Sequence, residues 1–206
     1  MRCSHSEVLN FYKEMPFNLR EGVDSQVAAV TKRNLVAEYP VLPPLLRQGA
    51  TVLDVGCGTG WLSNSIAYYY KSDVLGLDFN PVAIERAAAV AQKLQLKAKF
   101  LVQDLFFFQP EQPVDVVVSI GVLHHTHDCL GALKLICSSW VKQGGRGGGG
   151  SVPPVRAATL FGIFCRPEAA RSFGRRIIRS LCRAEPPHQR PDPVAVVVSG
   201  SGAAPP

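Results

Sequence analysis

The sequence predicts an α/β domain built on a doubly wound, mostly parallel sheet with helices on both faces. Three observations carry this. Strand-length runs alternate with helical patterns between residues 50 and 145, those runs are apolar throughout, and a glycine-rich loop joins the first run to the helix after it. A strand covered on both faces has no wet side to make polar, so its residues do not alternate.

Each element follows in order. To about residue 49 the chain reads as a helical lead, with a turn at Met15-Pro16 and a break at Tyr39-Pro40. Thr51–Val55 (TVLDV) is the first strand, Gly56–Gly60 the glycine loop and Trp61–Tyr70 a helix. Asp73–Leu77 is a second strand, ended by Asp78, and Pro81–Leu94 a helix with proline at its start and strong helix formers after it. Lys99–Val102 and Val114–Ile120 are strands three and four. Cys129–Val141 is a further helix, ending at Gly144-Gly145 where glycine permits a left-handed cap.

Length allows one domain: 206 residues bury a sizeable core but do not suggest two. The net charge of +6 raises nucleic acid as a partner, and its distribution argues against it. Residues 1–145 hold 13 Lys/Arg and 13 Asp/Glu; residues 146–206 hold nine Arg and three acids, so 9 − 3 = +6 lies entirely in the tail. No apolar run approaches the roughly 18 residues that span a bilayer, and the N-terminus has no signal-peptide pattern. Six cysteines without C-x-x-C pairing fit free thiols in a reducing cytoplasm.

Three carboxylates close the strands around the loop. Asp54 leads directly into Gly56-Cys57-Gly58-Thr59-Gly60, where glycines let the backbone turn sharply and approach a ligand without Cβ atoms. Asp78, 24 residues on, ends the second strand, where a doubly wound sheet faces the ribose of a nucleoside. The competing role of helix cap falls better to Asn80, immediately before Pro81. Asp104 ends the third strand, placed either to accept from an adenine amino group beside Leu105 or to close a turn. A dinucleotide loop of the G-x-G-x-x-G type would need glycine at position 61, which is Trp61, so a nicotinamide dehydrogenase fits poorly.

The ordered segments VLDVGCGTG, VLGLDFNPVAIERA, FLVQDL and DVVVSIGVLHHTHD resemble the class I S-adenosylmethionine (SAM) dependent methyltransferases, over roughly residues 11–145. The resemblance implies a Rossmann-like fold, SAM as cofactor and an unidentified small or medium acceptor. It assigns Asp54, Gly56, Cys57, Gly58 and Gly60 to the methionine part, Asp78 and Phe79 to the ribose side, and Asp104 with Leu105 to the adenine. Ser119, Ile120 and Gly121 would form the floor of the pocket, and FYKEMPFN looks like the N-terminal cap of some bacterial members. Tyr12, Phe17 and Trp61 are aromatic candidates for facing the sulfonium, against core packing as the commoner role of such side chains.

His124, His125, His127 and Asp128 follow the fourth strand at the ligand-binding edge. Neighbouring residues seldom converge on one metal ion, so no metal is assigned. Two roles stay open for His124 and His125: taking a proton from the acceptor nucleophile, or packing and capping.

From Arg146 the composition becomes that of a linker and disordered tail, GRGGGGSVPP and an Arg/Pro/Gly mixture. The family sheet has seven strands, so this reading leaves its last strands missing and the fourth strand at an edge. One extra G in a G-rich codon run after Arg146 would account for the change, if codons are chosen to suit it. A back-translation of Gly147–Phe164, read in the neighbouring frame, gives a valine-rich strand followed by GLYH, and the coding DNA across that run decides the matter. The rival function is a non-catalytic remnant that retains weak SAM binding. The domain plan is then a helical cap (1–49), a SAM-binding core (50–145) and a tail (146–206).

Overall fold

A computed structural model describes residues 22–142, 158–162 and 195–198. The first described element is helix α1 (Val23–Lys32), which carries Asp24 in its first turn and Lys32 in its last, each favourable to the helix dipole. Single helical turns at Leu35–Glu38 and Pro43–Leu45 lead into strand β1 (Thr51–Val55). Helix α2 (Trp61–Tyr70) follows the glycine loop, then β2 (Asp73–Asp78) and α3 (Pro81–Lys93). Asn80 caps α3 by accepting the Val82 N–H at 3.0 Å, as expected of an asparagine before proline.

β3 (Ala98–Val102) and β4 (Val116–Ile120) complete the central strands, and α4 (Cys129–Leu135) continues as a wider turn at Ile136–Trp140. The expected helix over 129–141 is therefore present but opens out in its last turn. Val114, expected inside the fourth strand, makes only a single bridge to Val141.

The sheet order is β3-β2-β1-β4-β5-β6, with every pair parallel. Two of these strands correct the reading of the tail. β5 (Ala158–Gly162) pairs with β4, and β6 (Ala195–Val198) pairs with β5, so β4 is not an edge and the sheet does not stop at four strands. ATLFG and AVVV are brief, but an open strand edge offers a full row of backbone partners to any such apolar run. The remainder of the tail, the 147–157 junction and the Met15-Pro16 turn lie outside the described residues.

β1, β2 and β4 are largely buried, whereas β3, at the sheet edge, exposes Leu101 and Val102 despite its apolar composition. Leu53, Val55, Leu77 and Val117 meet Leu133, Ile136 and Trp140 on one side. Val52, Val74, Val116 and Val118 meet Ile66 of α2 and Val36, Leu42 and Leu46 of the lead on the other. The chain winds outward from β1 to β3, then crosses back to place β4 on the far side of β1. That reversal falls between β1 and β4, and ligands of such sheets bind outside the carboxyl ends of the strands at this point.

Candidate functional site

The glycine loop leaves β1 at the reversal point and is held by its neighbours on several sides. Gly56 and Cys57 donate their N–H groups to the Leu77 carbonyl at 2.7 and 2.9 Å. Gly58 donates to Asp78 Oδ2 at 2.8 Å, and the Gly60 N–H to the Cys57 carbonyl at 2.9 Å. Gly56, Gly58 and Gly60 all have positive φ (73°, 53° and 75°), the left-handed region that favours glycine. Their surroundings differ. A Cβ on Gly60 would lie 2.6 Å from the Ala87 Cβ, whereas one on Gly58 would meet nothing within 4 Å. Gly60 is glycine because α3 packs on it; Gly58 faces open space.

Asp54 is buried and accepts the Ser63 hydroxyl at 2.5 Å. Burial pushes its carboxyl up to about 6, the Ser63 hydrogen bond pulls against this, and the nearby Asp78 charge adds to the rise. Asp78 is also raised, by burial first, against the opposing pull of the Asn80, Gly58 and Phe79 backbone N–H groups. Asn80 N–H reaches Asp78 Oδ1 at 2.9 Å, so each carboxylate oxygen accepts a backbone N–H. Burial, then Asp54 and Asp78, push the Cys57 thiol well up, and Tyr39 is raised by burial, Glu38 and Asp54. One buried and one partly buried carboxylate beside an open glycine loop form a site that a cationic ligand would stabilise.

The structure brings Asp54, Gly56, Cys57, Gly58, Gly60 and Asp78 together at one place. Phe79 follows Asp78 directly and is half-buried. Asp104 stands at the end of β3 and caps the turn Leu105–Phe107 by accepting the Phe106 N–H at 2.9 Å. Leu105 beneath it is buried in the core. Ser119 is buried and donates to the Val55 carbonyl at 3.1 Å, tying the end of β4 to β1; Ile120 and Gly121, the latter at φ 72°, follow it.

The histidine segment divides. His124 and His125 belong to the turn Leu123–His125, and the His125 side chain is exposed. His127 packs on the Phe106 ring, centroids 4.3 Å apart, and Asp128 caps α4 through the Gly131 N–H at 2.8 Å. Both are accounted for structurally. Among the described residues no three His, Cys, Asp or Glu side chains are grouped to hold a metal ion. Trp61 opens α2 half-buried; Tyr12 and Phe17 lie outside the described residues.

Sequence reading missed two residues. Ser63 is Asp54's partner, reached only because the loop folds α2 back over β1. Gln26 of α1 is fully buried and donates to the Thr59 carbonyl at 2.5 Å. Its signal was present but faint: a polar residue four positions before Val30, on the face α1 buries.

The class defined by this fold and site is that of the doubly wound nucleoside-cofactor proteins. Residues 46–146 match the model of a methyltransferase domain family, in keeping with the resemblance of the sequence to the class I SAM-dependent methyltransferases. A sterol 24-C-methyltransferase of Aspergillus fumigatus is 34% identical over 94 residues, covering 44% of this chain and 25% of that protein. A ubiquinone biosynthesis O-methyltransferase of Coxiella burnetii is 32% identical over 100 residues, covering 48% and 42%. The chain thus spans less than half of the length of these relatives. In fold it is similar to a magnesium protoporphyrin IX methyltransferase of Synechocystis PCC 6803 with bound SAH, at TM-score 0.50, 20% identity, and coverage of 68% and 69%.

Proposed function

We propose that this chain binds SAM at the carboxyl ends of β1, β2 and β4 and transfers its methyl group to a small or medium acceptor. The observation that carries the reading is the open face of Gly58, whose N–H is held by Asp78, in a loop entered from the buried Asp54, with both carboxyls raised. That arrangement suits a ligand that brings positive charge and needs close backbone approach. The loop and Asp54 would hold the methionine part, Asp78 with Phe79 the ribose, Asp104 and Leu105 the adenine, and Ser119–Gly121 the floor.

Bound there, SAM supplies a methyl group already activated on a sulfonium. What remains for the chain is geometry: holding an acceptor atom in line with that methyl and keeping water away. In this reading His124 or His125, in the turn after β4, would take a proton from the acceptor, the alternative being a packing or capping role. No described helix is long and apolar enough to cross a membrane. The three described cysteines, Cys57, Cys129 and Cys137, are free thiols, which suits the cytoplasm.

The test is calorimetric titration of the chain with SAM, beside an Asp78→Ala variant. Saturable binding that weakens at least tenfold in the variant is expected, since each hydrogen bond to a charged group contributes about 1.5–3 kcal/mol. A folded chain that takes no SAM overturns the reading.

A further inference from the structure

We propose that Gln26 of α1 is a positioning residue that locks the glycine loop in its cofactor-receiving form without touching the cofactor. This inference rests on the SAM-binding reading above. The argument begins with the loop itself. Glycine populates both signs of φ almost equally, so three glycines in five residues do not hold one shape on their own. The segment before Gly58 is fixed by the Leu77 carbonyl, and Gly58 by Asp78. The peptide between Thr59 and Gly60 is fixed at both ends, its N–H by Cys57 and its carbonyl by the Gln26 amide from a different part of the chain. Turning that peptide over would re-aim Gly58, the residue whose open face forms the cradle.

Packing alone does not account for the identity of residue 26. It lies fully buried on the same face as Val30, a position where an apolar side chain fits the pattern of α1. The amide oxygen Gln26 Oε1 and the hydroxyl Thr59 Oγ1 are both buried without a hydrogen-bond partner. A glutamine that leaves its own oxygen unsatisfied is poorly suited to stability, and what it does supply is one donor to the loop. Nor does α1 depend on it for docking. Tyr69 donates to the Thr31 carbonyl at 2.8 Å, Lys93 pairs with Asp24, and Val30 is buried against the body.

Gln26→Leu removes the donor and keeps similar volume; Gln26→Met is a second donorless variant whose flexible chain fits irregular space. Each would be measured for SAM affinity by calorimetry, for thermal midpoint, and for amide exchange. The expected result is roughly tenfold weaker SAM binding, the worth of one hydrogen bond, with the midpoint little changed and faster exchange confined to Gly58–Gly60. Unchanged affinity in either folded variant overturns the inference, as does faster exchange spread along α1. A wild-type chain that binds no SAM instead overturns the functional reading on which it rests.

Discussion

Asp54→Asn separates stability from function, because the structure gives the carboxylate a cost that only a cationic ligand relieves. Raising a buried carboxyl from its ordinary 3.8 to about 6 corresponds to about 3 kcal/mol of disfavoured ionisation. A carboxyl whose folded value lies above its unfolded one contributes stability that is present below 3.8 and lost as pH rises to about 6. Without cofactor, the protein at neutral pH therefore carries this cost in full. Asparagine keeps the size and keeps an oxygen for the Ser63 hydroxyl, while removing the charge. The variant should melt several degrees higher than wild type at pH 7.5, and the gap should close towards pH 5.

Cofactor binding should move the opposite way. If the ionised form of Asp54 receives the cation, wild-type affinity scales with the ionised fraction. With a carboxyl at about 6, that fraction is nearly complete at pH 7.5 and roughly a tenth at pH 5, so the apparent Kd should rise about tenfold on acidification. Asp78, raised in the same direction, reinforces the trend. Calorimetry in buffers of differing ionisation enthalpy should also show proton release on binding near pH 6. Asp54→Asn should bind weakly, with a shallower pH dependence. A wild-type Kd flat from pH 7.5 to 5, or a variant that melts lower and binds equally well, would refute the reasoning.

Gly58→Ala and Gly60→Ala should fail differently. The first costs about 1–2 kcal/mol of backbone strain and places a methyl in the cradle, so it should fold and bind SAM at least tenfold more weakly. The second adds a clash with Ala87 at 2.6 Å and should lose several kcal/mol of stability in denaturant titration; the reverse order of stabilities would sink this account. Asp115→Ala tests the opposite end of the sheet, where a buried carboxylate accepts the Thr51 N–H and hydroxyl at 2.9 Å each and Lys142 at 3.1 Å. Burial pushes its carboxyl up, but those partners outweigh it and hold it below its ordinary range, so its contribution fades only in acid below 3.8. Losing it should cost about 3 kcal/mol and leave the Kd for SAM unchanged, which thermal melts and calorimetry together would check.

What the sequence made legible was local. From Thr51 to Asp78 the chain makes one strand, loop, helix, strand unit, and the bond from Gly58 to Asp78 closes within that unit. The residue types alone, glycine where the backbone must turn and a carboxylate at a strand end, were enough to place it. Asp104 was readable only as two alternatives, and the cap on Phe106 N–H shows why: a carboxylate at a strand end serves a turn and a ligand with the same atoms. Gln26 and Ser63 escaped notice because their roles exist only after α1 and α2 have packed.

The tail shows the same limit from the other side. Composition argued against strands there, yet ATLFG and AVVV extend the sheet beside β4. A short apolar run has weak intrinsic preference, and a neighbouring strand edge decides its state. Sequence periodicity reports what a segment favours alone; it cannot report an edge that another part of the chain has left open. The proposed cofactor site draws mainly on the continuous stretch 51–121, with Gln26 of α1 reaching its loop from outside that stretch. The sterol and ubiquinone-pathway relatives match this chain over only 94 and 100 residues.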